Sequence, residues 1–177
     1  MAIIRSFKGK RPQIENEVFI ADNATIIGEV TIGKESSIWY QTVLRGDVGA
    51  ILIGENTNIQ DATIIHCTTG RNACKIGDGV TVGHRAILHG CTIESDVLIG
   101  MGATVLDDVL VPSQTIVAAG ALIPQGKILE SGFLYAGIPA KKIKPITPQQ
   151  MAMIKFSAIH YVENGKEHSS LIDASDE

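Results

Sequence analysis

Through most of the chain an aliphatic residue returns every sixth position. The series runs Ile20, Ile26, Ile32, Ile38 and Leu44, then Ile53, Ile59 and Ile65, then Ile76, Val82 and Leu88, then Ile93, Ile99, Val105, Val111, Val117 and Ile123. A second register follows four residues behind each of these and carries small or β-branched residues, from Ala24, Val30 and Ser36 through Thr115 and Ala121, with Lys127 as its exception. A period of six matches neither the 3.6 of a helix nor a long two-residue alternation. It fits a short strand plus a tight corner, repeated, and so predicts an all-β solenoid, a parallel β-helix. The two positions after the outward one are mostly polar or Gly, as in Lys34-Glu35, Glu55-Asn56 and Asp78-Gly79, types that tolerate corner backbone. Strand alternation turns the aliphatic residue inward and the next one outward. That outward position is often Gly or Ala, and its exceptions include Arg45, Gln60, His66 and His89.

The register slips where three residues precede Ile53, where Arg71 to Lys75 precede Ile76, and where the repeat from Leu88 is one short; the additions read as loops at corners. After Gln125 the repeat fades. Thr147-Pro148-Gln149-Gln150 then offers an N-cap, a first-turn proline and a capping-box glutamine. A helix over about 148–163 is predicted, with Met151, Ile154, Ala158 and Tyr161 on the face that packs against the solenoid. The chain thus divides into an N-terminal segment 1–19, the β-helix 20–128, a connecting segment 129–146, the helix 147–164 and a polar tail 165–177 expected to be disordered.

These hexapeptide repeats resemble the left-handed β-helix family, in which three hexads make one triangular coil; the hand and the three sides are implied by that resemblance. Seventeen hexads then make between five and six coils, stacked about 4.8 Å apart. The hexads starting at Ile65 and Leu88 are three apart, because the 71–75 insertion consumes none, so His66 and His89 stack on one face within reach of a shared metal. Three hexads earlier, Leu44 places Arg45 in the same column. His84 sits at a corner of another hexad. An extended span of five residues covers roughly 16 Å, which makes a neighbouring subunit around a threefold axis the better source of a third ligand. Three histidines and an open fourth position form the pattern of a catalytic zinc site. His160, on the helix, and His168, in the tail, receive no role.

The bulk composition narrows the partners. A chain of 177 residues with 45% apolar content builds one domain. Its net charge of -4 and its lack of a dense Lys/Arg block argue against nucleic acid and against an anionic membrane. No apolar stretch is long enough to span a bilayer and the start lacks a signal-peptide core, so a cytoplasmic location is expected. Cys67, Cys74 and Cys91 read as reduced thiols, with Cys67 a minor candidate ligand beside His66.

With VLRGDV at 43–48, NIQD at 58–61, IIHC at 64–67, VGHRAILHG at 82–90 and GIPAK at 137–141, the chain resembles the gamma-class carbonic anhydrase family over about residues 12–164. The resemblance implies a homotrimer whose interfaces bind zinc, or else ferrous iron or cobalt, through His66 and His89 of one subunit and His84 of the next. It implies an interfacial ion pair of Arg45 with Asp47, a Gln60 hydrogen bond near the metal-bound water, and an active-site role for Tyr161 that core packing would explain as well. The implied reaction is attack of zinc-bound hydroxide on CO2 to give bicarbonate, followed by proton export. The chain departs from the pattern at the last step: Val48 and the loop Thr68–Lys75 stand where the family carries glutamates. Hydration that is slow, buffer-dependent or absent is therefore expected. Two other readings stay open, an inactive metal-binding trimeric scaffold and a CoA-dependent acyltransferase, the latter common on this repeat.

Overall fold

The computed structural model describes residues 1–174, with side chains through Ser170. The aliphatic positions sort into three columns of parallel strands. Ile20, Ile38, Ile59, Val82, Ile99 and Val117 are register partners in the first. Ile26, Leu44, Ile65, Leu88, Val105 and Ile123 form the second, and Ile32, Ile53, Ile76, Ile93 and Val111 the third. All of them except Ile20 are buried and fill one continuous core, each contributing about 1.5–3 kcal/mol by leaving water.

The solenoid is longer than the hexad count implied, at about seven turns. Ile4 pairs with Ile26 and Ile14 with Ile32, so the N-terminal segment already belongs to the β-helix. Its irregular spacing hid it from a six-residue template.

Corners work as the polar positions suggested. At most corners the third residue after the aliphatic one adopts positive φ, as at Glu35, Asn56, Arg85, Asp96 and Asp108. This costs an L-residue roughly 1–2 kcal/mol, and it aims the N–H along the solenoid axis at a carbonyl of the adjacent coil. Asn56 donates to Lys34 (3.0 Å), Arg85 to Asp61 (2.8 Å) and Asp108 to Gly90 (2.9 Å). The second register stitches the same coils together. Buried Thr42, Thr57 and Thr63 donate their hydroxyls to the carbonyls of Gln60, Gly77 and Gly83, which explains why a small or β-branched residue recurs there.

One insertion differs from expectation. The residues before Ile53 make no loop, because Val43–Ile53 runs around the corner as a single strand paired with Thr25–Ile32 through a bulge. Residues 67–73 do form a loop.

The helix spans Pro148–Ala174 and not 148–163. Ten residues of the supposed tail are thus helical; residues 175–177 lie outside the described part. The extension follows from a face that continues past Tyr161: Gly165 would bring a Cβ within 3.1 Å of Phe19, and His168 packs among Phe19, Trp39 and Tyr40, its Nδ1 3.0 Å from the Tyr40 hydroxyl. His168 therefore has a packing role that the sequence did not suggest. At the other end the capping box is complete. Thr147 Oγ1 accepts from the Gln150 N–H (3.2 Å), and Gln150 Oε1 accepts from the Thr147 N–H (2.9 Å). Thr147→Ala is expected to destabilise the fold by about 1 kcal/mol, measurable by urea denaturation.

Between solenoid and helix, Phe133–Gly137 continues the first column, with Tyr135 in the inward place above Val117. Ala140–Pro145 then folds back antiparallel as the last strand of that sheet. No described helix is long and apolar enough to cross a membrane.

Candidate metal centre

His66 and His89 are register partners on adjacent strands of the second column, and Arg45 follows Leu44 one coil below. Each imidazole is held by a carboxylate. His66 Nε2 lies 2.9 Å from Asp47 Oδ1, and His89 Nδ1 lies 3.1 Å from Asp107 Oδ2. A carboxylate only accepts, so those ring nitrogens carry the protons. The remaining nitrogens, His66 Nδ1 and His89 Nε2, are then unprotonated in the neutral rings, and they face each other at 3.2 Å. Two lone pairs so close repel unless a proton or a metal ion sits between them. Two nitrogens about 2.0–2.1 Å from a zinc ion at the tetrahedral angle stand about 3.3 Å apart, so the pair fits half of such a site.

Asp47 also accepts from Arg45 Nη1 at 2.5 Å. Burial pulls its carboxyl upward most strongly of any single influence, but the hydrogen bonds from Arg45 and His66, with the guanidinium charge, hold it below the ordinary carboxylate range. Gly46 lets the strand close: a Cβ there would lie 2.4 Å from the Glu29 carbonyl oxygen of the preceding coil.

His84 belongs to another wall. Its Nδ1 lies 2.7 Å from Asp61 Oδ2, and its backbone N–H donates to Gln60 Oε1 (3.2 Å). Gln60 is buried, its Nε2 donating to Asn58 Oδ1 (3.1 Å). Tyr161 reaches this wall from the helix, packs edge-on against Trp39 with centroids 5.3 Å apart, and shares a cleft of about 290 Å³ with Gln60, His84, Met101 and Ser157. Burial, and secondarily the Asp61 charge, raises its phenol pKa. The residues singled out from the sequence thus fall into two groups, Arg45, Asp47, His66 and His89 on one wall, and Gln60, His84 and Tyr161 on another. No cluster of three His, Cys, Asp or Glu suited to a metal occurs within the described residues of one chain.

A hexapeptide-repeat model, described as bacterial transferase hexapeptide (six repeats), matches residues 73–107. A protein from Geobacillus kaustophilus named carbonic anhydrase is 44% identical over 169 residues, covering 96% of this chain and 92% of its own length. The chain belongs to the gamma carbonic anhydrase family. Gamma carbonic anhydrase 2 of Arabidopsis thaliana mitochondria is 46% identical over 91% of the chain, which spans 60% of that longer protein. Among solved structures, a hexapeptide transferase family protein from Anaplasma phagocytophilum superposes with a TM-score of 0.89 at 43% identity, covering 93% of this chain and 97% of its own.

Within this gamma carbonic anhydrase family member, Cys67 is no ligand. Alternation turns it inward from His66; it is buried, and its thiol contacts the Ala50 carbonyl at 3.5 Å. Burial, first among its causes, pushes its pKa up to about 11. Cys74 and Cys91 are also buried and their sulfurs are 3.8 Å apart. Alkylation of the native protein at pH 8 is expected to modify none of the three, with all three reacting once guanidinium is added; mass spectrometry reads the count. Asp61 and Asp107, the carboxylate partners of His84 and His89, were given no role from the sequence. The hexad count that stacked the histidines would have found Asp107, since it falls one coil above Gly90.

Proposed function

We propose that two walls of neighbouring subunits meet in a homotrimer, and that the chain is a metal-dependent carbonic anhydrase acting on CO2 and bicarbonate. The observation that carries this reading is the pair of ring nitrogens on His66 and His89 facing each other at 3.2 Å, each ring held by a carboxylate on its other nitrogen, together with a third carboxylate-anchored imidazole, His84, on a wall that a second copy can present. Apolar side chains fit such a contact: Ile64 and Ile87 stand exposed beside the histidine pair and Met101 beside His84.

His66, His89 and the His84 of a neighbouring subunit would hold zinc, with ferrous iron or cobalt as chemically acceptable substitutes. When bound, the ion supplies a Lewis acid that brings the ionisation of water close to neutral pH. Asp47, Asp61 and Asp107 fix which nitrogen of each ring is free to coordinate. Arg45 keeps Asp47 charged and turned toward His66. Gln60 and Tyr161 present polar groups beside His84, where a neutral amide can orient an anionic oxygen without quenching its charge. Val48 and the 68–75 loop offer no carboxylate to move the proton away, so bulk buffer takes that part.

Metal analysis, sedimentation and stopped-flow CO2 hydration test the reading together. Near-stoichiometric zinc, a trimeric mass and a turnover that rises with buffer concentration are expected. A monomer that cannot be loaded with zinc overturns the proposal, while a zinc-loaded trimer with no rate above buffer supports the scaffold alternative.

A further inference from the structure

Val105 lies three hexads after Leu88, so the corner that follows Val105 sits directly over the corner that follows His89. Asp107 occupies that upper corner and Gly90 the lower. The packing is specific: a Cβ on Gly90 would lie 2.2 Å from Asp107 Oδ1, and Gly90 has φ +53°, so any side chain at position 90 would both strain the backbone and push the carboxylate away. The carboxylate is mostly buried. Its Oδ2 faces His89 Nδ1 at 3.1 Å and accepts from the Thr68 hydroxyl at 3.2 Å; its Oδ1 is buried without a partner among the described residues.

We infer that Asp107 is a positioning residue for the metal centre, fixing His89 with its proton on Nδ1 and its free nitrogen toward His66. This rests on the metal centre proposed above and assigns to it a residue outside the five family motifs. An imidazole on a strand can rotate about χ2 and exchange tautomers. Rotation would carry Nε2 away from the point it shares with His66 Nδ1, and tautomer exchange would protonate it there. A mostly buried carboxylate at Nδ1 suppresses both, because rotation would leave it facing a ring C–H and proton exchange would leave it facing a lone pair. Gly90 makes the room, and the Thr68 hydroxyl fastens the 67–73 loop to the same carboxylate.

The same coil also anchors the 67–73 loop, since Arg71 and Asn72 donate to Asp108 at 3.2 and 2.8 Å. A carboxylate that merely fastened the loop would keep the Thr68 bond and have no need of His89, so the two roles separate experimentally. Zinc affinity, read by competition with a chromogenic chelator, is expected to fall about 10- to 100-fold in Asp107→Asn and Asp107→Ala, and to stay near wild type in Thr68→Val, which loses the loop contact alone. Nitrogen-15 NMR of the zinc-free wild type should show His89 as the Nδ1–H tautomer, with mixed tautomers in Asp107→Ala. Wild-type affinity in both Asp107 variants, an equal loss in Thr68→Val, or an Nε2–H tautomer in the wild type overturns the assignment; the last needs no variant to fold. Failure of the wild type to take up zinc would instead overturn the metal centre, and the tautomer measurement would still decide what Asp107 does to His89.

Discussion

Mixing His84→Ala chains with His89→Ala chains is expected to restore hydration activity that neither variant has alone. Each variant by itself removes one ligand from every interface, leaving His66 with a single imidazole partner, and its rate should fall to that of the buffer with zinc lost on dialysis. In a trimer containing both kinds of chain, one interface pairs intact His66 and His89 from the first kind with intact His84 from the second. Random reassembly of equal amounts makes about three quarters of the trimers mixed, each with one working site in three, so about a quarter of wild-type activity should return. Stopped-flow assays after joint refolding read this directly. Recovery absent at matched zinc and matched trimer content would show that the three histidines do not share a site across subunits.

Leu88→Ala should have the largest effect on stability. Leu88 is fully buried between Ile65 and Val105 in its column, immediately behind His89. Truncating it costs about 2–5 kcal/mol, the spread depending on how far neighbouring coils relax into the space, which lowers the melting midpoint by roughly 5 to 20 °C for a chain of this size. Because His89 stands on the same strand, zinc affinity should drop as well. A surface substitution such as Glu94→Gln, at an exposed position of the next hexad, should change neither. Calorimetry on both variants checks the contrast.

Much of this architecture was legible because one physical rule repeats. A strand too short to bury its own face must stack, and stacking demands an aliphatic residue inward, a corner that tolerates positive φ and a small residue that lets the coil turn. The columns through Ile20 and Ile32 obey all three demands at nearly every coil, the column through Ile26 keeps the inward aliphatic throughout, and counting hexads along it gave the stacking of His66 on His89. Legibility failed where the rule lapses. Ile4 and Ile14 lie outside the six-residue phase and were assigned to no coil, although pairing places them in two columns. The residues before Ile53 counted as an insertion, yet a long strand absorbed them by bending at a bulge. The helix was drawn too short because Gly165 and His168 are poor signals of a buried face, and only contact with Phe19, Trp39 and Tyr40 makes them one. At the candidate metal centre, the histidines were visible as chemistry, whereas Asp61 and Asp107 looked like ordinary polar corners until the coils above and below them were in place.

The returning strand Ala140–Pro145 has a consequence for how these molecules keep apart. A stack of parallel coils ends in a row of free amides and carbonyls, and another molecule could in principle continue the ladder and seed a fibre. Over one of the three faces that row is consumed by a strand running the wrong way for further growth. Its outer edge carries Lys141, Lys142 and Lys144 and finishes at a proline, with all three lysines exposed. A newcomer would have to desolvate like charges to dock there, so the terminus discourages polymerisation while leaving the sides of the prism free to associate.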